Sequence, residues 1–419
     1  MKKLLFILIL NVSLLFSPPP KAGTTDPNGR YISLTRYAGF FLNPDTYGFI
    51  FPSIHPKQLL EYHAQRQNRP LFILAGSAMG YSITLLTWPF HKQLLHLYEK
   101  FWRGAYTEEK ILFIGNFYAG YVLLNILVLW ISLFLFEKIF YLLVVRTDAP
   151  VFSMFLLMVF IASNPVTKAF FWTVHTQMFA FLTPLLCIYI LFRVTLLQTA
   201  LSFLRLAGFF LTGGVLLLVY GNFILLVPSL LYAVMYQWKK FDDLKNWRTV
   251  LIKVCILTLL FFIPTICWIG ILKWIGIDYY NFEMKVFHHL VWIPETLHRS
   301  FGSFIYQLGL NTLAYFKTMW LLLILILFSM IIFISGKIRI SWENDFMRET
   351  LFVFLYFFLF YWLLGAYFER LTLTLIPLFG CFWVVVVGQK ITAKKMIYVL
   401  SSLAMGWHLY VLMSYGPFY

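Results

Sequence analysis

Residues 111–136 read ILFIGNFYAGYVLLNILVLWISLFLF, 26 positions without a charged side chain. About 20 apolar residues in a row is the length that carries a helix across the hydrocarbon core of a bilayer. In lipid only helices and closed barrels satisfy their own backbone groups. Further apolar runs cover roughly 71–90, 151–163, 178–194, 207–220, 221–237, 250–276, 319–335, 350–368, 371–388 and 397–413. A barrel would show segments of about ten residues with alternating character, and the chain has none. The chain therefore reads as an all-α polytopic membrane protein. Its 61% hydrophobic and 12% charged composition sits far from the soluble average.

The expected layout is a single transmembrane domain over 1–419. Met1-Lys-Lys followed by LLFILILNVSLLF and SPPPKAG makes 4–17 a first span or signal anchor, with no clear cleavage site after it. An exported loop with a membrane-dipping helix follows at 18–110, then core helices at 111–237. The Lys/Arg-rich stretch WKKFDDLKNWR at 238–248 is the cytoplasmic loop. The C-terminal helices occupy 249–419 and include an exported loop at 277–318. Two span counts satisfy these loops. In the preferred one, 207–237 makes two short spans broken near Tyr220-Gly221-Asn222, 71–90 dips into or lies along the outer leaflet, and 163–177 is exported. In the other, 71–90 crosses and 207–237 is one long span. The preferred count gives about 11 transmembrane helices. The basic start and the charge asymmetry point to a bacterial inner membrane.

The net charge of +16 belongs to cytoplasmic loops; no nucleic-acid motif accompanies it, so no nucleic acid is expected as a partner. Cys187, Cys255, Cys267 and Cys381 all fall in apolar segments, without metal or disulfide spacing. Walker A, G-x-S-x-G and G-x-G-x-x-G motifs are absent.

The longest polar stretch, Thr24 to Phe72, lies beside the membrane and carries Asp26, Arg30, Tyr31, Asp45 and Arg69. Ionisable groups at a membrane boundary are the first place to look for function. Asp26, in DPNGRY, suits a general base on the exported side, or a turn-initiating residue. Asp45, in NPDTYG, admits the same two readings. Together these carboxylates can hold a divalent cation, but a pair 19 residues apart is a weak metal signal, and no metal is assigned. Arg69, in QNRPLF, suits a phosphate or a lipid headgroup, as do Lys57 and Arg66. His175 can position an acceptor or serve structure alone; Phe170, Phe171 and Trp172 beside it read as interfacial aromatics. Glu369 and Arg370 occupy a tight turn, Arg370 as a phosphate ligand with Glu369 its partner, or the two as an interfacial ion pair. Loop 277–318, with Glu283, His288, His289 and His298, reads as an amphipathic segment roofing a cavity, with no helical zinc spacing.

In order along the chain, these motifs resemble a GT-C class membrane glycosyltransferase. The chain is similar to the branch that holds the protein O-mannosyltransferases and the lipid A aminoarabinose transferases. The resemblance rests on Asp26-Pro27-Asn28-Gly29-Arg30-Tyr31 with Gly39, and on Asn68-Arg69-Pro70-Leu71-Phe72. It continues in SNPVTKAFFWTVHTQMF from Ser163, YGNFILLVPSLLY from Tyr220, and Glu369-Arg370-Leu371 with Pro377. It covers most of the chain in layout but few residues. One acidic residue precedes Tyr31 where the family has a pair. Leu371 stands where a Tyr is common, and His175 where a carboxylate is expected. The resemblance implies a polyprenyl-phosphate sugar donor, a lipid, glycan or protein acceptor, and inverting transfer on the exported side. Asp26 is then the general base, and Arg370 with Arg69 steadies the leaving phosphate. The competing readings are a lipid-linked glycan transporter, flippase or polymerase, and a non-catalytic assembly factor. A flippase would place basic residues inside its spans, whereas here they gather at span ends and in loops.

Overall fold

A computed structural model describes residues 2–16, 30–102, 107–144, 151–241, 247–335, 345–387 and 393–414. The protein is an all-α, multi-pass membrane protein. Helix α1 (Lys2–Ser13) leads to a hairpin of β1 (Arg30–Thr35) and β2 (Ala38–Leu42), antiparallel with Tyr31 opposite Phe41. Helices α2 (Asp45–Ile54), α3 (Pro70–Thr87), α4 (His91–Trp102) and α5 (Glu108–Val144) follow. Then come α6 (Val151–Ala162), α7 (Pro165–Phe170), α8 (Phe179–Leu196), α9 (Phe203–Leu217), α10 (Leu226–Lys240) and α11 (Trp247–Trp274). The C-terminal part holds α12 (Phe282–Val286), α13 (Trp292–Arg299), α14 (Phe301–Thr318), α15 (Trp320–Ser335), α16 (Asp345–Leu363), α17 (Glu369–Thr372), α18 (Ile376–Val387) and α19 (Ala393–Met413).

Among the described residues, five stretches are long and apolar enough to cross a membrane: Pro70–Lys100, Glu108–Leu143, Thr176–Leu196, Trp247–Trp274 and Asp345–Leu363. The pair α14 and α15, bent by 68°, makes a sixth if it is one span. Shorter apolar helices cover Phe152–Ala162, Phe203–Leu217 and Tyr398–Met413.

Segment 207–237 folds as two helices, α9 and α10, joined by a 3-10 turn at Gly221–Leu225. The chain reverses there, because the N–H of Leu201 donates to Gln237 Oε1 at 2.7 Å. Residues 277–318, read from the sequence as one loop, contain the 18-residue helix α14. Its polar residues had hidden it: Gln307 and Asn311 interrupt the apolar run but bond each other at 2.9 Å, one turn apart.

The long helices order themselves by end. At one end Asn11 on α1 donates to the carbonyl of Ala162 at the close of α6, and His408 on α19 bonds both Ser13 and Ser163. Lys168 on α7 donates to the terminal carbonyls Val411 O and Leu412 O of α19, closing that helix. At the other end Thr195 bonds Glu349, and Lys240 reaches the carbonyls of Thr195 and Leu197. Helix α8, about 27 Å long by its residue count, separates the two.

Helix α3 runs antiparallel to α5, with Gly76 facing Tyr121 and Gly80 facing Phe117. A Cβ on Gly76 would lie 2.1 Å from the Tyr121 ring, so only glycine admits this approach. The outer face of α3 and the turn after it expose Leu85, Leu86, Trp88 and Phe90, an apolar surface suited to lipid. Phe170 and Phe171, expected at an interface, are fully buried; Trp172 is half-buried and donates to Asn11 O. Segment 163–177 is not a surface turn but a buried plug. Pro165 at its first helical position and a reciprocal cap between Asn164 and Thr167 form α7 there.

Candidate functional site

Four segments meet at the end marked by His175. The first is α2 with the turn before α3. Asn43 accepts the backbone N–H of Asp45 at 2.8 Å, and Pro44 enters with a helical φ of −55°. Helix α2 therefore begins at Asp45, whose carboxylate sits in the favourable field of a helix N-terminus. Arg69 precedes Pro70, and the proline ring keeps it out of the helical region. Arg69 is thereby held outside α3 with its side chain aimed back at the plug.

The second segment is the plug's exit, His175-Thr176-Gln177. The third is 276–292, fastened to the first by Gln67. This wholly buried amide donates to the carbonyls of Leu59 and Glu61 and accepts the N–H of Tyr280 at 2.9 Å. Trp268 caps the Gln67 carbonyl at 2.8 Å. The fourth segment is the turn 363–372. Gly365 there has φ +92°, and a Cβ on it would lie 2.3 Å from Trp292. Trp292 donates to Leu363 O, and Leu290 N–H to Leu364 O, which locks segments three and four together.

The charged side chains converge where these segments join. Arg66 Nη2 donates to Asp45 Oδ1 at 2.6 Å, with its guanidinium over the Phe49 ring at 4.1 Å. His175 Nε2 lies 3.4 Å from Asp45 Oδ2, and His175 Nδ1 accepts the N–H of Gln177 at 3.0 Å. Arg69 donates to Thr176 Oγ1 at 2.9 Å and pairs with Glu283, which Asn68 also bonds. Gln177 donates to the Arg370 carbonyl at 3.0 Å, tying the last segment to the plug. The Arg370 guanidinium lies over the rings of Phe170 and Phe368. It is near enough for its charge to act on Asp45, Tyr220, Arg66 and Arg69.

Burial alone would raise the Asp45 carboxyl, but the His175 hydrogen bond and the charges of Arg66, His175 and Arg370 hold it far below the carboxylate range. Burial raises Glu283 too, and Arg69 with Arg66 brings it below its ordinary value. Burial drives His175 and His289 each down to about 4, so both imidazoles are neutral at pH 7. Burial also lowers Arg66 and Arg370, while Asp45 opposes it in both. Among the described residues, the guanidinium groups of Arg66, Arg69 and Arg370 lie near the carboxylates of Asp45 and Glu283. Three buried nitrogens of this cluster, Arg66 Nε, Arg69 Nε and His289 Nε2, have no hydrogen-bond partner among the described residues. Unmet guanidinium N–H donors in an arginine-rich cluster suit an anion. The Asp45 side chain remains about one-third exposed, so the cluster opens outward beside it.

Of the residues singled out in the sequence, Asp45, Arg66, Arg69, His175 and Arg370 come together here. Asp26 lies outside the described residues. Arg30 and Tyr31 lie on β1, with Arg30 exposed and Tyr31 packed beside the hairpin, and no contact described here takes either into the cluster. Glu369 does not pair with Arg370 as expected; it accepts a hydrogen bond from Trp320 Nε1 at 3.3 Å, on the other side of α17. No group of three or more His, Cys, Asp or Glu is placed to hold a metal ion among the described residues, and both Asp45 oxygens face Arg66 and His175. Glu283, His289, Tyr220 and Gln177 were not separately assigned from the sequence. Only Asn68-Arg69-Pro70 and the acidic Glu283 in a basic, aromatic loop hinted at the pairing. No protein-family model, no curated protein and no solved structure matches the chain.

Proposed function

We propose that the protein is a membrane glycosyltransferase of GT-C type that takes its sugar from a polyprenyl-phosphate donor. Transfer occurs at the end where Asp45, Arg69, His175 and Arg370 meet; the basic residues Arg193, Lys240 and Arg248 at the far end support reading the cluster end as the exported side, in a bacterial inner membrane on this proposal. The observation that carries this reading is the convergence of Arg66, Arg69 and Arg370 in a water-poor setting, with the buried Nε donors of Arg66 and Arg69 unmet among the described residues. Guanidinium groups bind phosphate through paired donors. Negative charge grows on the leaving phosphate as the sugar departs, so fixed cations stabilise that transition state more than the ground state.

Asp45 is a weak base because the His175 hydrogen bond and the charges of Arg66 and Arg370 hold its carboxylate ionised. Its part is to hold Arg66 and His175 in place. Asp26, a few residues before the hairpin, takes the acceptor hydroxyl proton. The test is transfer of radiolabelled sugar from polyprenyl-phosphate hexose and pentose donors, using membranes carrying the wild type and Asp26→Asn. Transfer in the wild type and none in a folded, inserted Asp26→Asn supports the reading. Undiminished transfer in Asp26→Asn removes Asp26 from the mechanism, and no transfer from any donor removes the enzyme.

A further inference from the structure

Helix α17 divides two sites. Its four residues send Arg370 into the cluster, Glu369 to the opposite side, and the Thr372 hydroxyl to the carbonyl of Thr318 at 2.9 Å. Thr318 is the last residue of α14, where the chain bends by 68° into α15. A bend frees carbonyls that a straight helix would use, and Thr372 takes up this one. The elbow opens a cleft of about 640 Å³ lined by Ala314, Lys317, Thr318, Trp320, Tyr367 and Glu369.

The lining has a distinctive chemistry. Trp320 is 41% exposed and stands edge-on to Tyr410, with ring centroids 6.1 Å apart. Tyr367 turns its hydroxyl away to the Trp362 carbonyl at 2.5 Å. Glu369 is fixed by the Trp320 indole N–H. The cleft thus combines aromatic surface, a positioned carboxylate acceptor on Glu369 and the ammonium-bearing Lys317, while the Thr318 hydroxyl is spent on the Tyr315 carbonyl at 2.8 Å. Acceptors and donors of both kinds beside an aromatic surface match a hydroxyl-rich, uncharged ligand whose C–H faces rest on the ring. A second phosphate would meet Glu369 and suits the cleft poorly.

We propose that this cleft is a saccharide subsite, and that it holds the sugar of the acceptor next to the donor phosphate. The second half of that statement rests on the glycosyltransferase reading; the first does not. Trp320 and Glu369 are its principal contacts, and α17 couples them to Arg370 through a single peptide unit.

The experiment is saturation-transfer NMR on the full chain in lipid nanodiscs. The probes are the methyl glycosides of glucose, mannose, galactose, N-acetylglucosamine and arabinose. At least one should give a saturable signal with the wild type. Trp320→Ala and Glu369→Gln should each weaken it tenfold or more, and Trp320→Tyr, which keeps a ring, should retain part of it. Circular dichroism and gel filtration establish that each variant is folded. No saturable signal from any of the five, or equal signals in wild type, Trp320→Ala and Glu369→Gln, overturns the subsite. Binding of polyprenyl phosphate is measured on the same samples. Saccharide binding without polyprenyl-phosphate binding keeps the cleft as a saccharide site, but overturns its acceptor role together with the enzyme reading. The converse keeps the donor site and overturns the cleft.

Discussion

His175 turns Nε2 towards Asp45 Oδ2 at 3.4 Å while its Nδ1 accepts the backbone N–H of Gln177. With Nδ1 an acceptor, the neutral ring carries its proton on Nε2. Both nitrogens are committed, so His175 positions the carboxylate and the plug and is not a proton carrier. The neutral state has a consequence for acid stability. His175 titrates near 4 in the folded protein against an ordinary value of 6.5, and His289 does the same. Between those pH values the unfolded chain binds protons that the folded chain does not, so stability falls as pH is lowered from 6.5 towards 4. His175 alone accounts for at most about 3 kcal/mol over that window. The Asp45 contribution persists through the window and is lost only below the carboxylate range. Melting temperature in nanodiscs should fall by several degrees between pH 7 and pH 5, and less in His175→Gln/His289→Gln. A flat profile would mean that the imidazoles are not held neutral.

The pair between Arg69 and Glu283 is mostly buried, with side chains 12% and 16% exposed. Removing one partner strands the other charge. Arg69→Gln should cost on the order of 3 kcal/mol, and adding Glu283→Gln should recover much of it. Thermal melts of the two single variants and the double variant read this directly. A double variant no more stable than Arg69→Gln would show that the two charges do not depend on each other.

Much of the helical bundle is legible in the sequence because lipid enforces one rule, the long apolar run. The rule fails where polar residues pair within a helix or lie buried. Gln307 and Asn311 break the pattern of α14 yet bond one another, and the buried plug 163–177 has the composition of a surface turn. Arg69, His175 and Arg370 can be found as ionisable residues near span ends. Their meeting cannot, because it depends on Gln67, Gln177 and Gly365, which look unremarkable locally and act only across the fold. Asp45 stays ambiguous in the sequence because a turn-initiating aspartate and a paired carboxylate share the same local sequence.

Gly365 is required twice, by its φ of +92° and by Trp292 against it. Gly365→Ala should destabilise by at least about 1–3 kcal/mol and should weaken any function that needs Arg370 in place. Limited proteolysis between 276 and 300 should quicken in this variant. An unchanged melting temperature and cleavage rate would remove the clamp between Trp292 and the turn.

Orientation can be read with single cysteines in a background lacking the four native ones. Lys57 is exposed at the end that carries the cluster, and Lys239 at the opposite end. An impermeant maleimide should label Lys57→Cys in intact cells, and Lys239→Cys only after permeabilisation. The reverse pattern would put the cluster in the cytoplasm.

The arginine cluster as the seat of a lipid-linked phosphate is tested most directly by polyprenyl-phosphate affinity. The comparison is wild type against Arg370→Gln in nanodiscs, followed by native mass spectrometry. A hydrogen bond to a charged group is worth about 1.5–3 kcal/mol, so we expect affinity to drop tenfold or more while the variant still folds. Equal affinity in a folded Arg370→Gln would contradict the assignment of this cluster to the donor.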